Sequence, residues 1–172
     1  MMNLKLIHSK VNAILRIVSP IELPIDIEEI AKKRGLDVVP YELGDDVSGL
    51  LAIKDSKGTI GYNQKEPRVR RRFTIAHELG HYELHKEKSD LFVDKEFIYR
   101  SQHSAHTVDH QVMEHEANYF ASCILMPTDQ VRKELDKKDI DLFSEDGIKE
   151  LAKKFEVSPT AMSLRITKLG FF

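Results

Sequence analysis

The chain holds one cysteine, Cys123, and no tryptophan in 172 residues. A lone cysteine excludes an intramolecular disulfide and a metal site built from thiolates alone, and the expected compartment is the cytoplasm. No apolar run approaches the ~18 residues that would read as a membrane span. Residues 1–18 spread charges among their apolar positions, as an amphipathic helix does and a signal peptide does not. Neither sign of charge dominates: 26 basic and 28 acidic side chains leave a net −2. That balance speaks against a general nucleic-acid or membrane-surface binder. A hydrophobic fraction of 41% beside 31% charge excludes a wholly disordered chain. The length suits about one domain, with no internal repeat and no low-complexity linker.

What is present is patterned. Leu4, Ile7, Val11, Ile14, Leu15 and Val18 recur at threes and fours, which predicts a helix over residues 4–18 that Pro20 ends. Asp26 as cap, Ile27, Ile30 and Ala31 as inner face and Gly35 as terminator predict a second over residues 26–34. The period then shortens. Residues 36–39, 49–53 and 59–63 read as strands, with turns at Gly44 and Lys57-Gly58, and a small antiparallel sheet is their simplest account. The strand at residues 59–63 is the expected edge on which an extended substrate pairs its backbone. Helical spacing returns over residues 67–85. A loop-rich stretch with one strand at 91–97 follows, and a long helix over 108–125 stops at Met126-Pro127. Residues 128–135 and 146–155 form shorter helices, and Ser158 with Pro159 opens a last one. Helices, strands, then helices predict an α+β fold.

His77-Glu78-Leu79-Gly80-His81 carries the chemistry. Residues four apart on a helix share one face at about 6 Å, so two imidazoles so placed can grip one metal ion. Glu78, beside the first ligand, can reach a water on that ion without ligating it. This is the arrangement of metal-assisted peptide hydrolysis. Gly80 sits mid-helix at a cost of about 1 kcal/mol relative to alanine, which fits a close approach by a ligand, another backbone or a packed side chain. A catalytic zinc also needs a third protein ligand and an open position. The helix over 108–125 offers Glu114 and Glu116, two apart, so only one can face the ion. Glu114 is preferred, because Asn118 on the same face can hydrogen-bond the outer nitrogen of a ligating histidine. Zinc is expected, and manganese accepts the same His/His/Glu donors.

The remaining histidines read differently. His85 lies about 12 Å along the axis from His77, too far for the same ion, and is read as a packing or capping residue. His103, His106, His110, His115, Tyr62 and Tyr82 are the candidates for stabilising an oxyanion. Cys123 is read as a small core residue.

RRFTIAHELGHYELH (residues 71–85) followed by EHEANYFASCILMP (114–127) resembles the ImmA/IrrE family of metallopeptidases, and LPIDIEEIAKKRGLDV (23–38) and GTIGYN (58–63) resemble its N-terminal half. The resemblance implies a zincin-like core with His77, His81 and Glu114 as zinc ligands and Glu78 as base. It also implies an intracellular endopeptidase that cuts a helix-turn-helix repressor of the Xre type.

Residues 1–130 are read as the metallopeptidase domain and 131–172 as a helical, helix-turn-helix-like segment packed on it. Ser158, Thr160, Ser163 and Arg165 lie along that segment's second helix. Glu156 stands where such turns often carry glycine, and only Arg165 and Lys168 could meet phosphates, so direct nucleic-acid binding is not expected. Arg68, Arg70, Arg71 and Arg72 form a better basic patch, which either steers an acidic substrate or pairs with local carboxylates. The second functional reading is a metal-binding regulator, or a toxin–antitoxin component, that acts through its C-terminus without proteolysis.

Overall fold

A computed structural model describes residues 2–42, 46–95, 108–137 and 144–171. In chain order these form α1 (Leu4–Ile17), α2 (Ile27–Lys33), β1 (Leu36–Tyr41), β2 (Val47–Lys54), β3 (Lys57–Asn63), α3 (Arg68–His85), β4 (Leu91–Lys95), α4 (Val108–Leu125), α5 (Thr128–Leu135), α6 (Glu145–Phe155) and α7 (Pro159–Leu169). The fold is α+β, as the order of patterns predicts. Among the described residues no helix is long and apolar enough to cross a membrane. Gly44, His103 and His106 lie outside the described residues.

The sheet has four strands in the order β1-β3-β2-β4 and is mixed. β2 pairs antiparallel with β3 and with β4, but β1 runs parallel to β3, Leu36 opposite Gly58. The expected all-antiparallel sheet fails at this one ladder, for a reason of connection. β2 and β3 are joined by only Asp55 and Ser56, both at positive φ (50° and 65°), the backbone of the tight turn that suits strand twist. That hairpin claims one side of β3 and leaves β1 the other. The turn is therefore Asp55-Ser56, and Gly58 is inside β3. For the same reason β3 is not an edge: both its sides are paired, and among the described residues β4 is the edge strand beside α3.

The helix α3 lies between the sheet and α4. Its buried residues run almost continuously from Thr74 to His81, as expected of a central helix rather than a surface one. Gly80 explains how α4 comes so near. A Cβ there would meet Ala117 Cα at 3.1 Å and Phe120 Cδ1 at 3.1 Å, so the close neighbour of Gly80 is another backbone. On the opposite side Gly49 of β2 does the same. A Cβ on it would lie 2.2 Å from Thr74 Cγ2 and 3.4 Å from Glu78 Oε1.

The last two helices bury Leu151, Phe155, Met162 and Ile166 in the same apolar core as Ile75, Leu79 and Phe120. Arg165, read from sequence as available to phosphate, is 3% exposed. Its guanidinium donates to Met126 O (3.0 Å), Cys123 Sγ (3.4 Å) and Thr128 Oγ1 (3.2 Å), which ties α7 to the corner between α4 and α5. Lys168 lies over the Tyr119 ring. Cys123 is buried, as expected of a core residue.

Glu156 ends α6 in the left-handed conformation, φ 49° and ψ 51°, where a side chain costs about 1–2 kcal/mol. Two arginines offset that cost. Arg68 Nε donates to Glu156 Oε2 at 3.0 Å and Arg72 Nε to Glu156 O at 3.3 Å. With Arg70 paired to Glu66 and Arg71 over the Tyr62 ring, much of the basic patch serves local contacts. Glu156→Gly and Glu156→Ala both lose the carboxylate, but only alanine keeps the strained backbone. The glycine variant should melt about 2–8 °C above the alanine variant, and equal midpoints would show that no strain is stored there.

Candidate metal centre

The three side chains singled out in the sequence converge. One turn of α3 places His77 Nε2 and His81 Nε2 3.0 Å apart. Across the Gly80–Ala117 contact, Glu114 of α4 lays one carboxylate oxygen 3.3 Å from His77 Nε2 and the other 3.2 Å from His81 Nε2. One donor atom from each residue lies within 4.8 Å of the others. Tetrahedral ligands at 2.0–2.1 Å from a shared ion stand about 3.3 Å apart, so the cluster could hold a metal ion with little adjustment. Asn118 Oδ1 lies 3.0 Å from His77 Nδ1, a contact that leaves Nε2 facing the cluster.

Glu78 is wholly buried, and neither of its carboxylate oxygens has a hydrogen-bond partner among the described residues. An orphaned carboxylate in the core is costly. Burial, with the charges on Asp94 and Glu114 added, pushes it up to about 8 although His77 opposes the shift. Such a group next to a His/His/Glu cluster fits a site that receives a cation and a water.

Glu116 does not join the cluster. Its Oε2 lies 3.0 Å from His85 Nε2, and His85 Nδ1 lies 3.2 Å from His81 Nδ1. His85 thus does more than pack or cap: it links His81 to the second glutamate. Phe92 of β4 stacks on His81 with ring centroids 4.6 Å apart. Asp94, on the same strand, adds its charge to those acting on His77 and Glu78. Neither residue had a signal in the sequence, since both reach the site only through strand pairing. Of the oxyanion candidates described, His110 lies beside the cluster, 3.9 Å from Glu114 Oε1. His115 faces solvent, Tyr62 lies under Arg71 and Tyr82 packs by Gly58 beneath Lys86.

The charges of the metal-free cluster follow from its geometry. Burial opposes a charge on His77, but its bond to Glu114 and the charges on Glu78, Asp94 and Glu114 outweigh that and raise it to about 9. Burial lowers His81 to about 4 despite the Glu114 carboxylate beside it. Glu114, which burial would raise, is held well below the usual carboxylate range by the two histidines. At neutral pH one proton on His77 therefore sits among the three donors, and an incoming cation must displace it. Apparent metal affinity should rise about tenfold per pH unit between pH 6 and 8 and level off above about 9. Chelator competition across that range checks this, and an affinity flat with pH would sink it.

Among solved structures, a Mycobacterium tuberculosis transcriptional regulator shares the fold, with a TM-score of 0.62 at 18% identity over 96% of this chain and 48% of that one. The chain thus spans about half the length of that regulator, and at this identity the likeness speaks for the fold alone. None of the curated proteins matches. A family comparison instead covers the sheet, α3, α4 and the C-terminal helices together. Over residues 31–167 the chain matches the IrrE N-terminal-like domain of the peptidase M78 family, and it belongs to that family.

Proposed function

We propose that this protein is a zinc-dependent endopeptidase whose substrate is a helix-turn-helix repressor of the Xre type. The observation that carries the reading is the buried, unpartnered Glu78 beside the convergent His77, His81 and Glu114, in a chain of a peptidase family. His77, His81 and Glu114 would hold the metal, with two imidazoles and one carboxylate forming a common zinc donor set. Bound there, the ion would polarise the scissile carbonyl and make a water nucleophilic at neutral pH.

The chain's own residues supply the rest. Glu78 takes the proton of the attacking water and returns it to the leaving amine. Its burial keeps bulk water from competing for that proton, and the adjacent cation would favour its charged form. His110, one turn before Glu114, is the described side chain placed to donate to the developing oxyanion. The repressor as substrate rests on the resemblance to the ImmA/IrrE family. The transcriptional regulator that shares this fold agrees with a role in gene control, which a peptidase would exert by removing a repressor.

The substrate would enter along β4. Its partner β2 occupies one side, and the Ile53 N–H bond to Asp90 O fixes the alternation. Asp90, Phe92 and Asp94 face β2, while Leu91 and Val93 turn their backbone groups to the open side. An extended peptide adds there as a further strand, beside Phe92 and the His81 that it stacks on. In the Glu78→Gln variant, which should bind peptide without cutting it, the Val93 amide should exchange more slowly once peptide is added. Unchanged exchange at Val93 would remove β4 as the docking strand.

The deciding experiment is mass spectrometry of the candidate repressor incubated with wild type, with Glu78→Gln and with chelated protein. A cut that appears with wild type and metal, and falls at least about 10²-fold in Glu78→Gln while zinc stays bound, is expected. Regulation of the target genes that survives Glu78→Gln undiminished would favour the non-proteolytic regulator instead.

A further inference from the structure

The histidine series on α3 continues past the candidate metal cluster. His85, one turn beyond His81, is 2% exposed. Its Nδ1 lies 3.2 Å from His81 Nδ1 and its Nε2 lies 3.0 Å from Glu116 Oε2. The other oxygen of Glu116 accepts the backbone N–H of Asn3 at 2.8 Å, and Asn3 is the N-cap of α1. Four groups from three helices thus form one line that ends at the inner nitrogen of the cluster.

With both imidazoles neutral, counting hydrogens from Glu116 inward leaves one arrangement. Between the two imidazoles there is room for a single hydrogen, and it belongs to one Nδ1 or the other. If His85 Nδ1 carried it, neutral His81 would carry its own hydrogen on Nε2, pointing into the cluster where a metal needs a lone pair. His85 Nε2 would then face the Glu116 carboxylate without a hydrogen, two acceptors at 3.0 Å. The carboxylate cannot donate, so it selects the opposite sense. His85 Nε2–H donates to Glu116, His85 Nδ1 accepts from His81 Nδ1–H, and His81 Nε2 is left bare.

We propose that His85 and Glu116 are positioning residues that set the tautomer and ring orientation of His81, so that its Nε2 is ready for a metal before the metal arrives. The proposal rests on the metal-binding reading of His77, His81 and Glu114. It gives the two glutamates of α4 distinct tasks. Glu114 reaches the cluster itself, and Glu116, two residues on, reaches the histidine one turn further along α3. His77 is served by a single neutral acceptor, Asn118, whereas His81 is served through a carboxylate.

Three variants of the full chain test it. His85→Leu removes the acceptor. His85→Asn puts an amide oxygen about where Nδ1 stood and keeps it. Glu116→Gln is nearly isosteric but can donate as well as accept, so it no longer selects one sense. Two readings are taken: zinc affinity by chelator competition, and the His81 tautomer in metal-free protein by long-range proton–nitrogen NMR. Wild type should show His81 protonated at Nδ1. His85→Leu and Glu116→Gln should shift His81 toward the Nε2–H form and weaken zinc about 10–100-fold. His85→Asn should recover most of the affinity lost in His85→Leu.

Should His85→Leu fail to fold, the near-isosteric Glu116→Gln still decides the matter. Wild type that binds one zinc, with Glu116→Gln giving the wild-type tautomer and binding zinc within twofold of it, would overturn the positioning role alone. Wild type that binds no zinc would overturn the metal reading, and this proposal with it.

Discussion

The crossing of α3 and α4 at Gly80 and Ala117 is the constraint from which the rest of the structure follows. Helices usually pack with their axes 8–10 Å apart, held off by their side chains. Here α3 presents no side chain at the contact and α4 presents a methyl group. At that separation a glutamate on α4 spans the gap and reaches two imidazoles on α3. One turn on along α3 and two residues on along α4, His85 and Glu116 make a second such pair. Gly49 admits the sheet to the other side of the same helix, so α3 is pressed from both directions and His77, Glu78, His81 and His85 are buried.

A central helix that carries His77, Glu78, His81, Glu83 and His85 in its buried set runs against the usual economy of cores, where an unpaired polar group is destabilising. The structure resolves the conflict case by case. Glu83, which faces away from the cluster, is neutralised by Arg34 at 2.6 Å and by Lys10 at 3.6 Å, which also pins α1 and α2 to α3. The three histidines bond to one another and to α4. Glu78 alone has no hydrogen-bond partner among them. That one exception lies beside the candidate metal centre, and a buried group left unpaired calls for an explanation other than stability.

Much of this was legible in the sequence, and the parts that were not share a cause. Helix limits were readable because caps are local: Asp26 accepts Glu29 N–H and Ser158 accepts Ala161 N–H, as their positions indicated. The choice of Glu114 over Glu116 for the face shared with His77 followed from helix periodicity and from Asn118 one turn on. Strand order was not readable, because a two-residue turn and a short connection leave the partner of β1 undetermined until the sheet is assembled. The bond between His85 and Glu116 depends on how far α4 is slid along α3, a register that no single-helix pattern encodes. Arg165 was misplaced because the side chain of an arginine on a short amphipathic helix can lie outward or fold back along its stem. Here it folds inward to the carbonyl of Met126.

That inward turn bears on the order in which the molecule can be completed during synthesis. The carbonyl of Met126 waits for a donor that lies 39 residues further along the chain. Until α7 has emerged and its guanidinium has swung into place, the corner after α4 keeps an unsatisfied acceptor, and the apolar seats of Met162 and Ile166 stand open. A ribosome that has just released α4 therefore holds a helix whose Glu114 is written but whose far end is unlatched. The corner after α4 is closed by α7, so the chain passes through an interval in which the residues of the candidate metal centre exist and this latch does not.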